Sequence, residues 1–293
     1  APAERMLLIR LVEDKLQELC DMGLGTDLHF SRGQEAISVG VISALRETDY
    51  VAVHHRTIAH AIAKGVPLEP LIAEILGKAG GINGGMAGEM HMSYPEKRFM
   101  FSFQLVGTCL PVAAGIAWAV KNYKKTDDIV TVFFGDAATA NGQWHEGVNI
   151  AAVQRVPLLL VCENNHLAGN VRPEHYLPVS TVATRAAAYG IPAVSVDGNR
   201  IEDVEQAAAE AINYVRRKST PFLLECDTTR LGRHKQGQGD IRTKEEKEQL
   251  ALRDQLLQMQ FEQALTQRMK QEIDEIVDRV LASPGATHPK EGI

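Results

Sequence analysis

Between residues 129 and 226, short β-rich apolar runs take turns with helical stretches, and this alternation limits the possible folds more than any single motif. Strands read over Ile129–Phe134, Pro157–Cys162, Ala193–Val196 and Phe222–Cys226, with helices over Gly142–Gln154, Val182–Tyr189 and Ile201–Arg217 between them. A strand apolar along its whole length is covered on both faces, and strands joined through a helix run parallel. The expected class is therefore α/β, a parallel central sheet with helices on both faces.

The flanks carry other patterns. Leu8, Leu11, Val12, Leu16 and Leu19 share one face of a helix over Arg5–Leu19, with Glu13, Asp14 and Lys15 largely opposite. A second helical pattern follows Gly33, Gly65-Val66-Pro67 restarts a helix through Leu76, Gly80–Gly88 is a glycine-rich loop, and Pro111–Asn122 reads as helix. His54, His55 and His60 fall on a helix or its entry. Thr243–Leu281 is charge-laced and helical, a solvated or partner-facing arm. Residues 1–242 are thus expected to form the α/β domain and 243–293 its helical C-terminal extension.

Composition removes several function classes. With 31 Lys+Arg against 37 Asp+Glu the net charge is −6, which leaves no source for a basic stripe and argues against nucleic acid as partner. No apolar run approaches the roughly 18 residues of a membrane span, and the N-terminus lacks a signal-type apolar region. The expected location is the cytoplasm, or the mitochondrial matrix after loss of a presequence. Cys20, Cys109, Cys162 and Cys226 form no CxxC pair, so reduced thiols are expected.

In an open parallel sheet ligands bind beyond the carboxyl ends of the strands. The strand ending at Phe134 runs into Gly135-Asp136, and the one ending at Cys162 into Glu163-Asn164-Asn165, one βαβ crossover later. If the strands are neighbours, Asp136 and Asn165 face each other, two hard oxygen donors suited to Mg²⁺ shared with a diphosphate. Both residues also serve as ordinary turn formers and helix caps, and spacing alone does not decide between the readings. His145-Glu146 lacks the second histidine of a zinc-protease helix, and neither a P-loop nor a dinucleotide fingerprint is present.

The Gly-Asp to Asn-Asn pattern resembles the thiamine-diphosphate signature. More closely, the chain resembles the α subunit of the first component of 2-oxoacid dehydrogenase complexes, a family that includes acetoin dehydrogenase. The resemblance runs through Gly33-Gln34-Glu35-Ala36, His55-Arg56 to His60-Ala61, Gly84 to Met92, Leu105-Val106-Gly107 with Pro111 to Gly115, Gly135 to Ala138, Trp144 to Asn149, Glu163-Asn164-Asn165, Thr229 to His234, and Ile241-Arg242-Thr243. It implies a thiamine-diphosphate-binding fold. It also implies that Asp136, the Asn165 side chain and the Leu167 carbonyl hold Mg²⁺, and that His55, Arg56, Arg230 and His234 meet the diphosphate. Val106 and Gln104 would lie at the aminopyrimidine, and Gly135, Ala137 and Ala138 would bring backbone N–H groups to the phosphates. His234, His60 and His91 are the implied catalytic histidines. The implied partners are a homologous β subunit in an α2β2 assembly, a lipoyl-bearing acyltransferase, and a small 2-oxo acid or acyloin substrate.

Departures from the family pattern are specific. His55 stands for a tyrosine, Ile58 for the first histidine of an HGH stretch, Glu89 for a serine, Gln104 for a small residue, Ala137 for a glycine, Ala140 for an asparagine, and His166-Leu167 for Gly-Tyr. Lys235 stands where mitochondrial members carry a phosphorylated serine. Three functions stay open: a 2-oxoacid dehydrogenase α subunit, an acetoin-cleaving or biosynthetic acyl-transfer relative, and a cofactor-binding scaffold that has lost catalysis.

Overall fold

A computed structural model describes residues 1–25, 28–179 and 181–287. Its strands are β1 (Tyr50–His54), β2 (Phe99–Phe103), β3 (Val130–Gly135), β4 (Leu158–Asn164), β5 (Ala193–Asp197) and β6 (Phe222–Asp227). The helices are α1 (Pro2–Asp21), α2 (Glu35–Ser43), α3 (Ile58–Lys64), α4 (Leu68–Ile75), α5 (Cys109–Ala119), α6 (Gly142–Gln154), α7 (Ala183–Ala186), α8 (Ile201–Lys218), α9 (Lys244–Ala251), α10 (Gln255–Gln258) and α11 (Gln263–Ala282).

Among the described residues the strands form one parallel sheet in the order β2-β1-β3-β4-β6-β5. The class is α/β, as expected. The alternation of side chains along each strand divides the core into two layers. Val51, Val53, Phe133, Leu159 and Val161 point to the side covered by α1 to α4, α8 and α11. Tyr50, Ala52, Val132, Phe134 and Leu160 point to the side covered by α5, α6 and α7.

The sheet is wider than the sequence reading. β1 and β2 were not read as strands, and His54, assigned there to a helix or its entry, closes β1. Five residues are too short to show a period, and β1 is extended because β3 pairs with it on one side and β2 on the other. Their position matters because successive strands run outward in opposite directions from the β1/β3 boundary. This is the switch point where a crevice opens beyond the carboxyl ends.

The C-terminal run is also corrected in part. Although charge-laced, α11 buries Ile273, Ile276, Val277 and Val280 against α1 and α4. Arg10 bridges from α1 to Asp254 at 2.9 Å and to Glu35 at 2.6 Å, both out of solvent. Residues 288–293 lie outside the described residues. On α1, Glu13 does not face solvent as expected. It is buried and accepts the Ser31 N–H at 2.8 Å. No helix among the described residues is long and apolar enough to cross a membrane.

Candidate active site at the sheet's switch point

The carboxyl ends of β1, β3, β4 and β6 converge on a cavity of about 400 Å³. β3 and β4 pair through Gly135 and Glu163, so Asp136 and Asn165 emerge side by side. The neighbouring strands that the sequence argument required are therefore present. Asp136 opens a short 3-10 turn, Asp136–Ala140, and is 1% exposed. Burial pushes its carboxyl pKa up, opposed by the Tyr176 hydroxyl, which donates to Oδ2, and by the nearby His166. Asn165 donates its amide N–H to Gln34 Oε1 at 2.8 Å and accepts the Leu167 N–H on Oδ1 at 3.2 Å. Between them His166 adopts φ 57°, the left-handed turn that brings Leu167 back to the cavity wall.

Two buried guanidiniums line the same cavity. Arg56, just past β1, donates to the Phe30 and His234 carbonyls. Arg230, just past β6, donates to the Gly169 carbonyl at 2.8 Å and is 1% exposed. Burial lowers the pKa of both, and the repulsion of Arg56 and Arg242 helps take Arg230 down to about 9. Cations packed this closely favour an anion between them. Behind Arg230, Gly33 has φ 90° and a backbone so close to Thr229 that a Cβ would run into its carbonyl.

Every residue that the resemblance placed at the cofactor lines this cavity: His55, Arg56, Gln104, Val106, Gly135, Asp136, Ala137, Ala138, Asn165, Leu167, Arg230 and His234. Burial and the Arg56 charge bring the His234 pKa down to about 3, and His55 is lowered by burial and by His54, so both rings are neutral near pH 7. Two of the three histidines implied as catalytic sit elsewhere. His91 is exposed and off the cavity wall, where Met90 takes its place. His60 lies behind the wall, its Nε2 on Glu163 Oε1 at 2.7 Å and its Nδ1 on the Arg56 carbonyl at 3.1 Å.

Sequence reasoning gave no role to four residues that shape the site. Glu163 lines the cavity and is held by His60 and His54, whose charges keep its carboxyl well below the carboxylate range despite the opposing effect of burial. His29 lines the cavity beside His55 and His234. Glu89, noted only as a departure, accepts the His29 backbone N–H at 2.9 Å and pairs with its ring Nδ1. Tyr176 caps Asp136. Glu163 opens the recognised Glu163-Asn164-Asn165 motif and His29 lies just before the one at Gly33, which is the one signal that could have found them.

The oxygen pair fits a hard cation such as Mg²⁺. The two guanidiniums with the imidazoles of His55 and His234 fit a polyphosphate, and Val106, Leu167, Met90 and Phe134 supply apolar wall.

The model of the family described as "Dehydrogenase E1 component" matches residues 3–282. The α subunit of an acetoin:2,6-dichlorophenolindophenol oxidoreductase from Bacillus subtilis is 40% identical over 83% of this chain and 74% of its own length. The chloroplastic pyruvate dehydrogenase E1 component subunit alpha-3 of Oryza sativa is 33% identical over 95% of this chain and 70% of its own. The pyruvate dehydrogenase E1 component subunit alpha of Rhizobium meliloti is 36% identical over 78% and 66%.

Proposed function

The chain belongs to the dehydrogenase E1 component family, and on that premise we propose that it is the α subunit of a thiamine-diphosphate-dependent dehydrogenase. It would act on a 2-oxo acid and pass the acyl group to a lipoyl carrier. The observation that carries this reading is the pairing, in one cavity, of the Asp136–Asn165 oxygens with the buried guanidiniums of Arg56 and Arg230. That is a site for a cation and a polyphosphate together.

Asp136, the Asn165 side chain and the Leu167 carbonyl would hold Mg²⁺, whose charge would offset that of the diphosphate. Arg56 and Arg230 would fork onto phosphate oxygens, and His55 and His234, neutral before binding, would each donate one N–H. Backbone N–H groups of Gly135, Ala137 and Ala138 would complete the phosphate contacts. Val106 and Gln104 would line the aminopyrimidine end. Thiamine diphosphate, when bound, supplies the electron sink for breaking the bond next to the substrate carbonyl. His60 does not reach the cavity and would act by holding Glu163 in place.

A partner would complete the site. Val106 on the cavity wall and its neighbour Leu105 are 45% and 69% exposed, and Val112, Trp118, Ile150 and Val153 on α5 and α6 leave further apolar surface uncovered. A homologous β subunit covering this side in an α2β2 assembly accounts for it, with a lipoyl-bearing acyltransferase as the next partner. A cytoplasmic location accords with the bacterial relatives.

The relative at 40% identity acts on acetoin, which favours an acyloin as the alternative substrate. Turnover of pyruvate, branched 2-oxo acids and acetoin by the assembled subunits separates the two. Asp136→Ala should abolish turnover and the calorimetric signal of thiamine diphosphate with Mg²⁺. Full activity in that variant removes the metal assignment, and a wild-type complex with no binding heat is a degenerate scaffold.

A further inference from the structure

We propose that His29, His55 and His234 form a binding site for Zn²⁺ or a similar divalent transition ion, distinct from the oxygen pair at Asp136. The ligating nitrogens of these three side chains lie within 4.8 Å of one another. Their rings stack edge to face, with centroids 4.7 Å (His29–His55), 5.1 Å (His29–His234) and 5.6 Å (His55–His234) apart. Three imidazoles with one position left open form the ligand set of an open zinc site, whose fourth place goes to water or an anionic oxygen. Here that place faces the cavity, which all three residues line. Zinc–nitrogen bonds of about 2.0–2.1 Å bring the nitrogens to roughly 3.4 Å apart, which rotation of the side chains can supply.

Two further observations point to an ion. Glu89, 4% exposed, pairs with His29 Nδ1 and accepts the backbone N–H of the same residue at 2.9 Å. With Nδ1 donating to this carboxylate, the Nε2 lone pair is left for a ligand, the carboxylate–histidine arrangement that orients metal-binding imidazoles. The Nδ1 of His234 is buried and has no hydrogen-bond partner among the described residues. A second cluster, His54, His60 and Glu163, is as tight, but its carboxylate already joins both rings at 2.9 and 2.7 Å, so its polar groups are satisfied from within.

Donor type separates this site from the Mg²⁺ assignment, since imidazole selects zinc-like ions and oxygen pairs select hard cations. Titration of the full chain with Co²⁺, free of any histidine tag and of thiamine diphosphate, reads the site directly. The expected result is one Co²⁺ per chain with the visible bands of a tetrahedral nitrogen site, displaced by Zn²⁺ and untouched by Mg²⁺. His29→Ala and His234→Ala should lose the bands while keeping the far-ultraviolet circular dichroism of the native fold. Glu89→Gln, the mildest change, should weaken affinity about 10–100-fold. Absence of bands in the native chain, bands that persist in both alanine variants, or unchanged affinity in Glu89→Gln overturns the proposal. The thiamine diphosphate reading shares His55 and His234 with this site but rests on the Asp136 and Asn165 oxygens with Arg56 and Arg230, and the calorimetry of Asp136→Ala tests it separately.

Discussion

Two histidine clusters adjoin at the consecutive residues His54 and His55, and they solve opposite problems. In one, Glu163 lies between His54 and His60 and accepts from both. The other ring nitrogen of His60 meets the Arg56 carbonyl, so both partners of this ring are acceptors. The group is closed, and its work is to hold the wall behind the cavity. In the other, the carboxylate of Glu89 lies outside the triangle of His29, His55 and His234, leaving three imidazoles facing one another across the cavity. A carboxylate in the middle makes structure, and one behind makes a ligand.

Removing each carboxylate gives the largest separation. Glu163→Ala strands two buried imidazoles and should cost about 3–5 kcal/mol in denaturant unfolding. Glu89→Ala loses a ring partner and a backbone N–H acceptor and should cost about 1–3 kcal/mol. Equal losses would erase the distinction between the clusters.

Acidity gives the next contrast, with Glu13 as the foil. Glu163 is held below its ordinary 4.5 in the folded chain by His60 and His54 against the pull of burial. Its contribution is therefore full above pH 4.5 and lost as pH falls below that value. Glu13 is buried beside Glu35, and burial raises its carboxyl pKa to about 8 from 4.5. The unfolded chain gives up that proton first, so Glu13 makes stability fall as pH rises from 4.5 to 8. In stability profiles across pH, Glu13→Gln should flatten the slope between those values and Glu163→Gln the slope on the acid side. A Glu163→Gln profile that matches the native chain while Glu13→Gln flattens its own slope would show that the histidines, and not burial at large, have been given too much weight.

The smallest effect is spectroscopic. Burial and Arg56 hold His234 at about 3, so its nitrogen resonances should stay those of a neutral ring as pH falls through 6.5, the ordinary value. A midpoint near 6.5 would mean that the open cluster is as solvated as a surface histidine.

Much of this was legible in one dimension. Short β-rich runs such as Leu158–Leu160, alternating with helical stretches, placed β3 to β6 and their helices, although β5 at the sheet edge is mostly exposed. The order Gly135-Asp136, then Asn164-Asn165, marked the two loops of the site. Three things were not legible. β1 and β2 are five-residue strands that pairing makes extended. α11 reads as a charge-laced arm, and only its packing on α1 and α4 shows that Ile273, Ile276, Val277 and Val280 form one buried stripe. His91 sits in a family-like motif and still lies off the cavity.

The sequence by itself determined the parallel α/β class, the two strand ends that carry Asp136 and Asn165, and the family likeness, because those depend on local period and on residues close together in the chain. Only the tertiary structure decided which side of Glu163 and Glu89 the histidines occupy, and that His29 meets His234 across more than two-thirds of the chain's length. Such contacts are set by strand order at the switch point and by burial, neither of which any single stretch of sequence contains.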